Sequence, residues 1–203
     1  DSLVKTFNNS LNKGRLAHAF LLTGIRGVGK TTTARIIAKA LNCVGNENNT
    51  EPTFDICNNC SPCKSINKGN FLDVIEVDAA SRTGVDGIRE IIDAVMYSPN
   101  NARFKVYIID EVHMLSNAAF NALLKTLEEP PENVKFIFAT TEIKKIPATI
   151  ISRCQRFDLK RVDIDTLRTH LSKICESESI KFEIGFSDCK IHTIKWFSEI
   201  RAT

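Results

Sequence analysis

No apolar run in this chain approaches the ~20 consecutive residues that a membrane-spanning helix needs. A signal-peptide layout is also missing, because Asp1-Ser2-Leu3-Val4-Lys5 does not lead from a basic start into an apolar core. The expectation is a cytoplasmic protein with no membrane partner. An excess of one charge is lacking too: a net +3 over 203 residues argues neither for nor against a nucleic-acid partner. What the chain does contain is 43% hydrophobic and 25% charged residues, enough to bury a globular core and too apolar for disorder.

The stretch Gly24-Ile25-Arg26-Gly27-Val28-Gly29-Lys30-Thr31 fits the phosphate-binding pattern G-x-x-x-x-G-K-[ST] at every fixed position. Its glycines let successive N–H groups turn toward phosphate oxygens, and the following helix adds the positive end of its dipole. In that pattern Lys30 bridges the β- and γ-phosphates of ATP, and the Thr31 hydroxyl ligates Mg²⁺. The nucleotide-binding set runs on through Thr32. Context agrees, because Ala19 to Thr23 reads as a buried strand before the loop. After it, Ala34, Ile37, Ala38 and Leu41 form one apolar helix face.

A nucleotide site also needs a carboxylate at a neighbouring strand end, and Val106-Tyr107-Ile108-Ile109-Asp110-Glu111 supplies two. Asp110 is the candidate Mg²⁺ ligand with Thr31. Glu111, one residue beyond, is the candidate general base for the water behind the γ-phosphate. Strands and helices alternate from there. Phe71–Val77 reads as a strand, and Val85, Ile88, Ile91, Ile92 and Val95 give an amphipathic helix. Ser116 caps a helix that Pro130-Pro131 closes, and Val134–Ala139 is a further strand. The fold class is α/β: a parallel sheet flanked by helices, with ligands at the carboxyl ends of the strands.

Cys43, Cys57, Cys60 and Cys63 form C-x13-C-x2-C-x2-C between the first helix and the second strand. Four thiolates at such spacings suit a closed tetrahedral Zn²⁺ site, which ties down an insertion with little core of its own. Cys154, Cys175 and Cys189 have no such spacing and are read as unpaired packing residues.

These motifs, with Asp78-Ala79-Ala80-Ser81-Arg82, Ile109 to Leu115, Asn121 to Pro131 and Ser152-Arg153-Cys154, resemble the gamma/tau family of bacterial DNA polymerase III subunits. That resemblance runs from about Leu16 to Leu159. It implies a P-loop fold of the AAA+ class, an ATPase (clamp-loader) activity that loads the sliding clamp onto primed DNA, and a place in the polymerase III holoenzyme. It also implies partners: other clamp-loader subunits, the sliding clamp, primed DNA and the polymerase III core, in a hetero-oligomer. By resemblance, Thr141 senses the γ-phosphate, and Arg153 is the arginine finger, acting in trans on a neighbour's ATP. The related delta-prime subunit carries a zinc module but lacks an intact phosphate loop, so Lys30-Thr31 favours gamma/tau.

The expected domains are residues 1–159 as the AAA+ ATPase domain, with the zinc module at about 43–63, and 160–203 as a partial helical lid domain. Ile164, Leu167, Leu171 and Ile174 would open that lid. The ends depart from the family pattern. The sequence begins after the Tyr-Arg-Pro-containing segment that helps hold adenine, and from about Ile184 the tail lacks the Gly-Ser-x-Arg-Asp segment that carries a second sensor arginine. The collar domain and the extension toward polymerase and helicase are likewise missing, as in a truncated or frameshifted gene. The expected consequence is weakened nucleotide affinity and assembly. Two further readings stay open: a non-catalytic relic acting at most as a nucleotide- or partner-binding module, and a different AAA+ motor.

Overall fold

The computed structural model of the chain describes residues 2–12, 14, 16–45, 51–81 and 85–177. These fall in two compact units, Asp1–Arg161 and Val162–Thr203. In the first unit the order is α1 (Ser2–Asn12), β1 (Ala19–Thr23), α2 (Lys30–Asn42), α3 (Ser61–Asn67), β2 (Val74–Asp78), α4 (Val85–Val95) and β3 (Lys105–Asp110), then α5 (Asn117–Glu128), β4 (Val134–Thr140), α6 (Ala148–Ile151) and β5 (Gln155–Asp158). The second unit contributes α7 (Ile164–Ser177), whose apolar Ile164, Leu167, Leu171 and Ile174 are all exposed. No helix among the described residues is long and apolar enough to cross a membrane.

The five strands form one parallel sheet in the order β2-β3-β4-β1-β5. Strands β1 and β4 are buried along their whole length, as their apolar residues require when helices cover both faces, with Lys135 the one charged residue enclosed in β4. Because side chains alternate, Leu21, Tyr107, Ile109, Phe136 and Phe138 go to one face, where Ile88 and Ile91 of α4 and Phe120 and Leu123 of α5 cover them. On the opposite face, Phe20, Leu22, Val106, Ile108 and Ile137 meet Ala34, Ile37, Ala38 and Leu41 of α2. Phe7 of α1 joins that face, its ring 5.5 Å from Phe20 and 4.8 Å from Phe54.

The largest boundary difference from the sequence reading is in β2, which begins at Val74 and not at Phe71. The three residues before it belong to a turn, in which buried Asp73 accepts backbone N–H bonds from Asn100, Asn101 and Ala102, each at 2.9 Å. Ser116 does cap α5: its hydroxyl accepts from the Ala119 N–H at 3.2 Å. Cys154 packs against the α4/α5 face of the core, and burial pushes its thiol up to about 12. Cys175 lies on α7, and Cys189 falls outside the described residues, as does the chain beyond Ser177.

Candidate nucleotide site and four-cysteine cluster

At the end of β1 the backbone has to bend sharply without a side chain. Gly24 has φ of 153°, and a Cβ there would meet the Leu159 carbonyl oxygen at 2.7 Å and Val28 Cγ1 at 2.9 Å. Gly29, at φ 91°, is the N-cap of α2 and offers no side-chain cap, while the first turn of the helix holds no acidic residue. The free N–H groups and positive dipole end are therefore not neutralised from within the helix. Lys30 is only 6% exposed and donates from Nζ to the Gly24 and Ile25 carbonyls, each at 3.1 Å.

Across from this cationic rim stand the strand-end carboxylates. Thr31 Oγ1 donates to Asp110 Oδ2 at 2.6 Å, and Asp110 Oδ1 accepts the Glu111 N–H at 2.9 Å. A cavity of about 470 Å³ lies between the two sides. Arg26, Gly27, Gly29, Lys30, Thr31 and Thr32 line one wall; Asp110, Glu111 and Asp78 line the other. Gly24, Ile25 and Val28 do not line it; Gly24 and Ile25 hold Lys30, and Val28 packs on Gly24. Phosphate oxygens placed on the cationic rim would face three carboxylates, a repulsion that only an intervening cation relieves. The donor set therefore fits a phosphate chain together with Mg²⁺, held by Thr31 and Asp110.

Asp78 was not among the nominated site residues. It is the register partner of Asp110 on the adjacent parallel strand, so both carboxylates end at the same level of the sheet. The available signal was an acidic residue closing a strand at the carboxyl edge, where ligands of open parallel sheets bind.

Glu111 has left-handed backbone angles, φ 46° and ψ 45°, a costly conformation for a residue with a side chain. It turns the chain off β3 and directs the carboxylate toward β4, where Glu111 Oε2 accepts from Thr141 N–H at 3.1 Å and from Thr141 Oγ1 at 3.0 Å. Thr141 thus meets Glu111 and does not line the cavity. Arg153 is not brought to this cavity either. Its guanidinium donates to Glu128 Oε1 at 2.7 Å and to the Thr149 carbonyl at 2.9 Å on the surface.

The four nominated cysteines converge, with their sulfurs all within 4.8 Å of one another. Cys43 closes α2, Cys63 sits on α3, and Cys57 and Cys60 come from the loop between. Cys43 and Cys57 sulfurs stand 3.6 Å apart, close to the edge of about 3.8 Å of a tetrahedron with Zn–S bonds of about 2.3 Å. Backbone N–H groups of Cys60 and Asn59 lower the Cys57 thiol to about 6, while burial raises Cys63. A cluster of four thiols with one already acidic fits Zn²⁺, whose binding drives off the remaining protons.

Residues 1–163 match the protein family described as DNA polymerase III, delta subunit. Among curated proteins, the chain is 53% identical over 183 residues to the DNA polymerase III subunit tau/gamma of Haemophilus influenzae, covering 90% of this chain and 26% of that protein. It is 52% identical over 185 residues to the tau subunit of Bacillus subtilis, covering 91% and 32%, and 55% identical over 178 residues to the gamma subunit of Buchnera aphidicola from Acyrthosiphon pisum, covering 88% and 48%. The chain thus spans less than half the length of these relatives. Among solved structures, a DNA polymerase III gamma subunit-related protein of Thermotoga maritima superposes with a TM-score of 0.53 at 21% identity, covering 87% of this chain and 51% of that one. The RuvB Holliday junction branch migration motor of the same organism gives 0.57 at 18%, covering 90% and 50%. Both likenesses concern the fold alone, a parallel sheet flanked by helices.

Proposed function

The chain belongs to the DNA polymerase III, delta subunit family, and from that premise we propose that it is an ATP-hydrolysing clamp-loader subunit of the replicative polymerase. The observation that carries this reading is the cavity between the loop of Gly24–Thr32 and the carboxylates Asp110 and Glu111, with Thr31 and Asp110 joined at 2.6 Å across it. An intact Lys30-Thr31 pair and relatives named tau and gamma support a hydrolysing subunit over a purely architectural one.

In this reading the loop N–H groups and the Lys30 ammonium bind the phosphates. Thr31 and Asp110 hold Mg²⁺, which when bound neutralises charge on the phosphate oxygens. Glu111 takes a proton from the attacking water, and Thr141 holds Glu111, through which it senses the γ-phosphate. Arg153 faces outward because its work is on a neighbour's ATP, so turnover depends on assembly. Cys43, Cys57, Cys60 and Cys63 hold a structural Zn²⁺. The partners are the other clamp-loader subunits, the sliding clamp, primed DNA and the polymerase III core, in the cytoplasm. In this reading α7 opens a partial helical lid domain, the rest of which, 178–203, lies outside the described residues.

The test is ATP binding and hydrolysis by the chain, alone and with clamp-loader subunits, sliding clamp and primed DNA. Lys30→Ala should abolish ATP binding in calorimetry, and Glu111→Gln should keep binding and lose turnover. Equal hydrolysis in Glu111→Gln and parent would reject the base; unchanged affinity in Lys30→Ala would reject the loop.

A further inference from the structure

His113 follows the strand-end carboxylates by two residues and has no role in the reading above. Its ring is almost fully enclosed, with 7% of the side chain exposed. Nδ1 lies 3.1 Å from Thr140 Oγ1 and 3.3 Å from Glu111 Oε2, while Nε2 lies 3.6 Å from Glu142 Oε1. Thr140 is itself fixed, wholly buried at the end of β4, with its hydroxyl accepting the Glu142 N–H at 3.0 Å. Lys145, 3.0 Å from Glu142, holds that carboxylate in turn.

In the tautomer protonated on Nδ1, that proton faces Thr140 Oγ1 at 3.1 Å and Glu111 Oε2 at 3.3 Å, where it attracts the carboxylate instead of repelling it. The Thr141 N–H and hydroxyl reach the same Oε2. Among the described residues no hydrogen bond goes to Glu111 Oε1. Oε2 thus takes two hydrogen bonds from Thr141 and is faced by the His113 ring, while Oε1 is left for a proton. A base held in this way needs no search through rotamers when the water is in place.

We propose that His113 is a positioning residue that holds Glu111 Oε2 through Nδ1–H and so presents Oε1 to the attacking water. The proposal rests on the reading of Glu111 as the general base, and it goes beyond that reading by assigning the two carboxylate oxygens different tasks.

Three variants of the full chain test it, in ATP binding by calorimetry and in turnover measured alone and in the clamp- and DNA-stimulated mixture. His113→Ala should lower kcat by about 10- to 100-fold, the scale of losing alignment at a reacting group, with ATP Kd unchanged. His113→Asn, whose amide nitrogen falls near the Nδ1 position, should restore most of kcat. His113→Gln, whose amide reaches the Nε2 position, should not. A kcat unchanged in His113→Ala, or equal kcat in the Asn and Gln variants, would overturn the proposal. So would a parallel loss of ATP affinity and thermal stability in all three. Glu111→Gln in the same assay separates the premise: turnover retained there removes Glu111 as base, whereas turnover lost there but kept in His113→Ala removes only the positioning role. A second readout needs no turnover. In the ¹⁵N-histidine-labelled chain the His113 Nδ1 resonance should report a protonated nitrogen and should move on Glu111→Gln; an unprotonated or unmoved Nδ1 overturns the proposal.

Discussion

Lys135 is 3% exposed on β4, with its ammonium 5.3 Å over the Phe104 ring and 3.4 Å from His18 Nδ1. Burial lowers its pKa from 10.5 to about 8. The folded chain therefore releases this proton near pH 8 and the unfolded chain only near 10.5, so the charged form penalises folding in full below pH 8. Between those values the unfolded chain binds more protons, and stability rises with pH. Lys135→Met should raise unfolding free energy at pH 7 by about 1–3 kcal/mol and abolish that rise, as denaturant titrations at pH 7 and near pH 9.5 would show. Asp73 runs the other way. Burial alone would raise its pKa, but the N–H groups of Asn100, Asn101 and Ala102 outweigh burial and leave it below the ordinary carboxylate range. Its contribution is present above the unfolded carboxylate pKa and is lost as pH falls through the depressed folded value. Asp73→Asn should cost about 2 kcal/mol at pH 7 in the same titration, with the loss shrinking in acid.

At the scale of elements, α3 is too short to persist on its own, since an isolated helix of one or two turns does not repay its nucleation. With the proposed Zn²⁺ bound, its order would depend on the metal linking Cys63 to Cys43 at the end of α2. Removing Zn²⁺ with a chelator should make all four of these thiols react with a thiol reagent and lose the helical signal of α3, while the parallel sheet survives. Full reactivity before chelation would exclude a metal there. Which elements could be read from sequence follows the same physics. Strands β3 and β4 were legible because both faces are buried and each carries a run of at least four apolar residues, Val106 to Ile109 and Phe136 to Ala139, and α2, α4 and α5 because each has one apolar stripe. Strand β5, Gln-Arg-Phe-Asp, buries only Phe157, and α1 is spelled largely in polar residues around Phe7, so neither announces itself. The phosphate loop, Asp110 and the cysteines were legible as spacings along the chain. Asp78 showed only as an acidic residue closing a strand, since its meeting with Asp110 depends on strand register, and the place of His113 depends on the turn at Glu111, neither of which a local pattern encodes.

At the scale of the whole molecule, the proposed arginine finger gives the clearest dependence on assembly. Arg153, paired with Glu128 at the surface, does not line the chain's own cavity. Arg153→Ala should bind ATP as the parent does and lose about 10³-fold or more in assembled turnover. Mixing it with Lys30→Ala chains, which cannot bind ATP but keep the arginine, should recover part of the rate; no recovery would reject action in trans. The strand order adds a constraint on how chains can meet. It leaves β2 and β5 as the two edges, five and four residues long, and each carries charge: Glu76 clasped by Arg35 on one, Arg156 paired with Asp158 on the other. Short charged edges refuse an incoming strand. Fibrillar stacking and strand exchange between copies through these edges are thereby discouraged.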